Sequence, residues 1–179
     1  MLKKMLALLL VSFFYLGSSA QTLTPSDADS KISFVIKNMG IGVDGTLRGL
    51  KGKMVFNPKK PKASLFDVTV DVATINTNNT RRDNHLKKPD FFDAEKYPVI
   101  AIKTTGIQAK GNNIYFAKAV LTMHGVSKNI QFDFIAKPAS DGYNFIAEFS
   151  LNRHDYGIGG NSMTMGDDVK VKLDVAGKK

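Results

Sequence analysis

The chain has 179 residues, with 25 Lys and Arg against 16 Asp and Glu, a formal net charge of +9 and no cysteine. The missing thiols exclude disulfide staples, thiolate zinc sites and a lipid-modified N-terminal cysteine, so stability must come from packing and backbone pairing. The basic balance does not mark a nucleic-acid reader, because the lysines are scattered and no concentrated basic and aromatic face is formed.

Met1 to Ala20 carries Lys3 and Lys4, an apolar run from Met5 to Leu16, and then Gly17-Ser18-Ser19-Ala20. That is the three-part plan of a secretory signal peptide cleaved after Ala20, and the run is short of the roughly 20 residues a spanning helix needs. The expected organisation is therefore a leader over residues 1–20 and one domain over residues 21–179, in the periplasm or secreted. For such a chain the expected anionic contact is a membrane surface or a phosphorylated lipid head, met transiently.

The domain opens with Ile32, Phe34 and Ile36 alternating against Ser33, Val35 and Lys37, the period of a half-buried strand. Met39 to Gly42 bends the chain, Asp44-Gly45 is a favoured hairpin dipeptide, and a second strand carrying Gly49 and Gly52 ends at Met54-Val55-Phe56. Glycines at such spacing suit bulges, bends or the close approach of another group. The next strand, Leu65 to Thr74, puts Phe66, Val68, Val70 and Val72 on one face and Asp67, Thr69 and Asp71 on the other.

A connection of about twenty residues follows, far longer than an ordinary hairpin loop. It reads TRRDNHLKKPDFFDAEKYP from Thr80 to Pro98, with Thr80 as the expected N-cap of a short helix, Pro89 as its stop, and Phe91 and Phe92 as apolar anchors. Five more strands are predicted, over Val99–Thr104, Ile114–Met123, Ile130–Ala136, Tyr143–Leu151 and Val169–Val175. Most are separated by turn residues such as Lys110-Gly111-Asn112-Asn113, His124-Gly125 and Ser140-Asp141-Gly142. Eight strands joined mainly by short turns, with no long helical pattern, predict an all-β antiparallel barrel with a short helical insert between its third and fourth strands.

The inward set of that barrel is expected to be Phe34, Ile36, Met54, Phe56, Phe66, Val68, Val70, Ile100, Ile102, Phe116, Phe132, Phe134, Phe145, Phe149, Val171 and Leu173. Alternation alone leaves a filled core and a ligand cavity both open. Catalysis has little support: the three histidines follow no metal-binding spacing, and no serine stands in a nucleophile elbow. Neither a metal nor a catalytic residue is expected.

RRDNHL followed by DFFD and KYP resembles the signature of the YceI-like family, exported lipocalin-like proteins associated with polyisoprenoid binding. FVIKNMGIGVDGTLRGLKGKMVFNP, LTMHGVSKNIQF and LNRHDYGIG resemble that family's opening hairpin, mid-chain hairpin and final turn, so the likeness runs from about Ser33 to Val175. Asn38 departs from the pattern, standing where family members more often have a histidine. The resemblance implies a lipocalin-like barrel with a long apolar tunnel that holds a bound isoprenoid or other long-chain amphiphilic lipid. No further cofactor is implied.

A ligand of that kind would leave its head group at the tunnel mouth, where Arg81, Arg82 and His85 are the first candidates to meet it and Arg153 and His154 the second. Arg82 and Asp83 have an alternative use, pairing to hold the insert down. Three classes of function follow: a lipid carrier, a stress-related envelope protein without a ligand, and, more remotely, a hydrolase using His85. The oligomeric state is left as monomer or homodimer.

Overall fold

The computed structural model describes residues 20–179, so the leader expected at the N-terminus lies, up to residue 19, outside the described residues. Eight strands and one helix follow in the order β1 (Gln21–Asn38), β2 (Ile41–Phe56), β3 (Leu65–Asn76), α1 (Thr80–Leu86), β4 (Val99–Gly111), β5 (Ile114–Met123), β6 (Val126–Ala139), β7 (Gly142–Asn152) and β8 (Met165–Lys178). Each strand pairs antiparallel with its neighbours in the chain, and β8 returns to pair with β1. The sheet closes into a barrel, as the alternation of the strands predicts.

Three of the hairpins turn on two residues that both have positive φ: Met39-Gly40, Asn112-Asn113 and His124-Gly125. That geometry matches the right-handed twist of the strands it joins. The first hairpin therefore turns at Met39-Gly40 and not at Asp44-Gly45, which pair inside β2 with Val35 and Phe34. Intrinsic preference favours Asp-Gly, but Gly45 has a different use: its missing side chain leaves room for the Phe34 ring, which a Cβ would strike.

The first strand is longer than its apolar alternation suggests. Gln21–Leu23 already pairs with Met54–Phe56, and the register then shifts between Leu23 and Ile32. Side chains fill the irregular stretch: Ser30 Oγ accepts from the Ala176 backbone N–H at 3.0 Å, Asp27 accepts from the Leu50 N–H at 2.8 Å, and the Arg48 guanidinium donates to the carbonyls of Asp27 and Ser30. A polar segment containing Pro25 thus becomes strand because its backbone groups find partners across a bulge.

The interior is divided along the barrel axis. At one end Phe56 is fully buried, ringed by Phe66, Tyr115, Phe134, Tyr143 and Phe145 with ring centroids 4.9–6.5 Å away, most of them edge-on. Aromatic rings of this size, closely interlocked, shut that end. The other end carries the site.

Burial raises the Tyr115 hydroxyl above the usual tyrosine range. A folded pKa raised above the unfolded value means that its contribution is complete below about pH 10 and is lost as the pH climbs through the folded value. Denaturant melts between pH 8 and 11 should therefore show stability falling at the alkaline end. Tyr115→Phe should flatten that fall; an identical decline in both proteins would remove Tyr115 as its source.

Candidate functional site

Above the aromatic plug lies a cavity of about 410 Å³. Its walls are Ile32, Phe34 and Ile36 from β1, Leu47 and Leu50 from β2, Val68 and Val70 from β3, and Ile100 and Ile102 from β4. Leu121 and Met123 continue from β5, Phe149 and Leu151 from β7, and Val171, Leu173 and Val175 from β8. Leu86, Phe91 and Phe92 of the long insert and Ile158 of the β7–β8 connection meet over it. Volume and lining fall within the range of pockets that enclose small ligands.

The residues expected to face inward separate into three groups and one exception. Phe34, Ile36, Val68, Val70, Ile100, Ile102, Phe149, Val171 and Leu173 line the cavity. Met54, Phe56, Phe66, Phe134 and Phe145 also point in but pack against each other in the closed half. Phe132 is half-buried, with its ring stacked on Phe149 at 5.0 Å.

Phe116 is a correction. Tyr115, Ala117, Ala119, Leu121 and Met123 are the buried face of β5, so Phe116 lies on the outer face with Ile114 and Lys118. The strand offers apolar residues at both parities near its start, and the small Ala117 and Ala119 disguise the inner one. Leu121 and Met123, missed as lining residues, continue that same alternation.

The insert is held by its own polar residues. Asn79, not Thr80, is the N-cap: its side chain accepts from the Arg82 backbone N–H at 3.0 Å, and Asn79 has the extended backbone of a cap. Thr80 is already inside the helix. Thr77, at the exit of β3, is gripped from two sides. Asp83 accepts from its N–H at 2.9 Å and its hydroxyl at 2.5 Å, while Arg82 donates through Nε to the hydroxyl at 2.7 Å and through Nη2 to the carbonyl at 2.8 Å. Asp83 is buried in this role, and Arg82 reaches the cavity from it. Both side chains hold the loop through Thr77, and Arg82 and Asp83 form no ion pair with each other among those found in the described residues.

His85 faces both the cavity and a shallow basic hollow outside, where Arg81, Arg82 and Lys88 converge. Its Nε2 lies 2.8 Å from Asp90 Oδ2 and its ring sits edge-on to Phe91. Phe91 in turn lies against Gly159, whose N–H donates to the Asp90 carbonyl at 2.9 Å, so the insert and the β7–β8 connection are pinned together over the opening.

Arg153 is almost wholly buried. Its guanidinium donates to the carbonyls of Gly166 at 3.0 Å, Ile158 at 2.8 Å and Gly160 at 2.6 Å, and to Asp167 at 3.0 Å. Most of its donors are spent on shaping the connection, which leaves little for a ligand. His154 points to the same Asp167 at 2.7 Å and is not part of the cavity wall. Asn38 does line the cavity, at the rim.

Among the described residues, no group of three or more His, Cys, Asp or Glu could hold a metal ion. What the arrangement can do is exclude water from an apolar chain and present Arg82 and His85 at its outer end.

Comparison with known proteins agrees in fold and in extent. A family model, the YceI-like domain, matches residues 23–176. A UPF0312 protein of Pseudomonas savastanoi pv. phaseolicola is 31% identical over 176 residues, covering 92% of each chain. Among solved structures, Burkholderia cenocepacia BcnA has a TM-score of 0.80 at 22% identity, covering 84% of this chain and 98% of its own. A polyisoprenoid binding domain from Saccharophagus degradans, implicated in plant cell wall breakdown, has a TM-score of 0.69 at 14% identity, covering 89% and 99%.

Proposed function

Because this chain belongs to the YceI-like domain family, we propose that its barrel holds a polyisoprenoid or similar long-chain amphiphile, such as an isoprenoid quinone, a prenyl phosphate or a fatty-acid derivative. The role is binding, for carriage, storage or protection of the envelope under stress, in the periplasm or outside the cell. The observation that carries this reading is the apolar cavity of about 410 Å³ beneath the insert. The polyisoprenoid-binding domain of the same fold supports the choice of ligand class.

The energetics favour a chain over a compact polar ligand. Each methylene withdrawn from water contributes roughly 0.8 kcal/mol, so about ten of them approach the free energy of micromolar binding before any head-group contact is made. Affinity then comes from the walls, while Arg82, His85 and the exposed Arg81 orient the head.

Organic extraction of the purified protein followed by mass spectrometry tests this. A long-chain lipid at close to one per barrel is the expected result. A clean extract, together with no uptake of added isoprenoid quinone or prenyl phosphate, would favour a stress-related structural protein without a ligand.

A further inference from the structure

Met163, Met39 and Ile41 are the three most exposed large apolar side chains among the described residues, at 106%, 77% and 72% of full exposure. They lie together. Met39 is at the tip of the β1–β2 hairpin, and its N–H donates at 2.7 Å to the carbonyl of Thr164, the residue after Met163. One position further along each segment, Asn38 pairs with Met165.

The same two segments make the edge of the cavity, through Asn38, Ser162, Thr164 and Met165. The apolar tips Met39, Ile41 and Met163 are not part of the cavity wall but sit on the segments that supply its edge. A left-handed φ at Met39 is tolerated best by glycine or asparagine, and full hydration of a thioether chain is unfavourable as well. Neither feature helps the isolated barrel.

Cations flank this edge. Lys37 precedes the hairpin tip, and Arg81 and Lys88 stand on the insert around the basic hollow that shares Arg82 and His85 with the cavity. Lys37, Arg81 and Lys88 form none of the ion pairs found among the described residues. Nearby carboxylates are partly spoken for, Asp90 by His85 and Asp167 by Arg153 and His154.

We infer that Met39, Ile41 and Met163 form a docking edge that inserts into the surface of an anionic phospholipid bilayer, setting the cavity mouth against the membrane. The inference rests on the lipid-holding reading and supplies what that reading lacks, a route for the ligand. A long chain crossing open water would forfeit hydrophobic stabilisation at every methylene exposed on the way. Transfer with the mouth on the bilayer avoids that exposure. Apolar insertion and cation attraction act together at such a surface, the second weakening as salt rises.

The test is co-sedimentation of the purified protein with vesicles of phosphatidylglycerol and phosphatidylethanolamine, against the triple substitution Met39→Ser, Ile41→Ser, Met163→Ser. The expected result is a loss of vesicle affinity of about tenfold or more, with the melting temperature unchanged because the three side chains touch solvent. Equal binding by both proteins, or none by the unaltered one, overturns the inference. So does a dimer that the triple substitution dissociates without any vesicle binding, which would assign the edge to a second copy. Lipid content is read on the unaltered protein, so an empty barrel there registers as failure of the ligand proposal and not of the docking edge.

Discussion

Val70→Asp is expected to empty the barrel. Val70 is buried in the cavity wall on β3, opposite Ile100 across the strand pair. A carboxyl there must either give up its hydration or draw water into the space a lipid tail would fill, at a cost of several kcal/mol. Ligand affinity should fall on the order of a hundredfold or more, leaving a solvent extract with no stoichiometric lipid. Val70→Ala, which keeps the wall apolar, should retain most of it. Circular dichroism shows whether the aspartate variant is folded, and a folded Val70→Asp protein that still carries its lipid would move the binding site away from this wall.

The second large effect is expected at Arg153. Arg153→Ala removes four hydrogen bonds and strands the carbonyls of Ile158, Gly160 and Gly166 at the edge of a buried site. The cost is about 3–5 kcal/mol, which for a domain of this size lowers the melting temperature by roughly 10 °C. Arg153→Lys should recover little, because an ammonium cannot reproduce a planar fork of donors aimed at three carbonyls. A head-group contact would behave differently, with weaker ligand binding and an unchanged melt. That second pattern would return Arg153 to the ligand.

Much of the fold was legible because a strand with one dry face writes its period into the sequence. Phe66, Val68 and Val70 could be read off β3 directly, and the insert stood out by its length and its crowding of charge. Three features were not legible in that way. Depth along the barrel is invisible to alternation: Phe56 and Phe34 have the same inward signature, yet one is interlocked with five rings and the other borders empty space. Parity fails where both faces are apolar, as it did at Phe116 beside Tyr115. The first half of β1 has almost no apolar pattern, and its strand state depends on Ser30, Asp27 and Arg48 meeting groups remote in sequence.

The site was harder to read than the barrel. Arg82, Asp83 and His85 stand out in the sequence as a cluster, but sequence does not say which partner wins. Thr77 supplies a hydroxyl, an N–H and a carbonyl within reach of Arg82 and Asp83, so Asp83 and the Nε and Nη2 donors of Arg82 are committed before any ligand arrives. Arg153 sits just ahead of a glycine-rich stretch, and a loop with several free carbonyls in a buried setting needs a donor such as guanidinium. That requirement is a signal available in LNRHDYGIGG.

The seam between β1 and β8 joins the two ends of the described chain, with Ser30 accepting from an amide 146 positions away. The cylinder therefore cannot be sealed until the last residues are free to dock. A nascent polypeptide whose β8 is still inside the ribosome stays open with two raw sheet margins. Closing the ring is a late and slow event set by contacts remote in sequence. Loss of the final strand would leave those margins exposed to other chains, so truncation products should clump rather than fold.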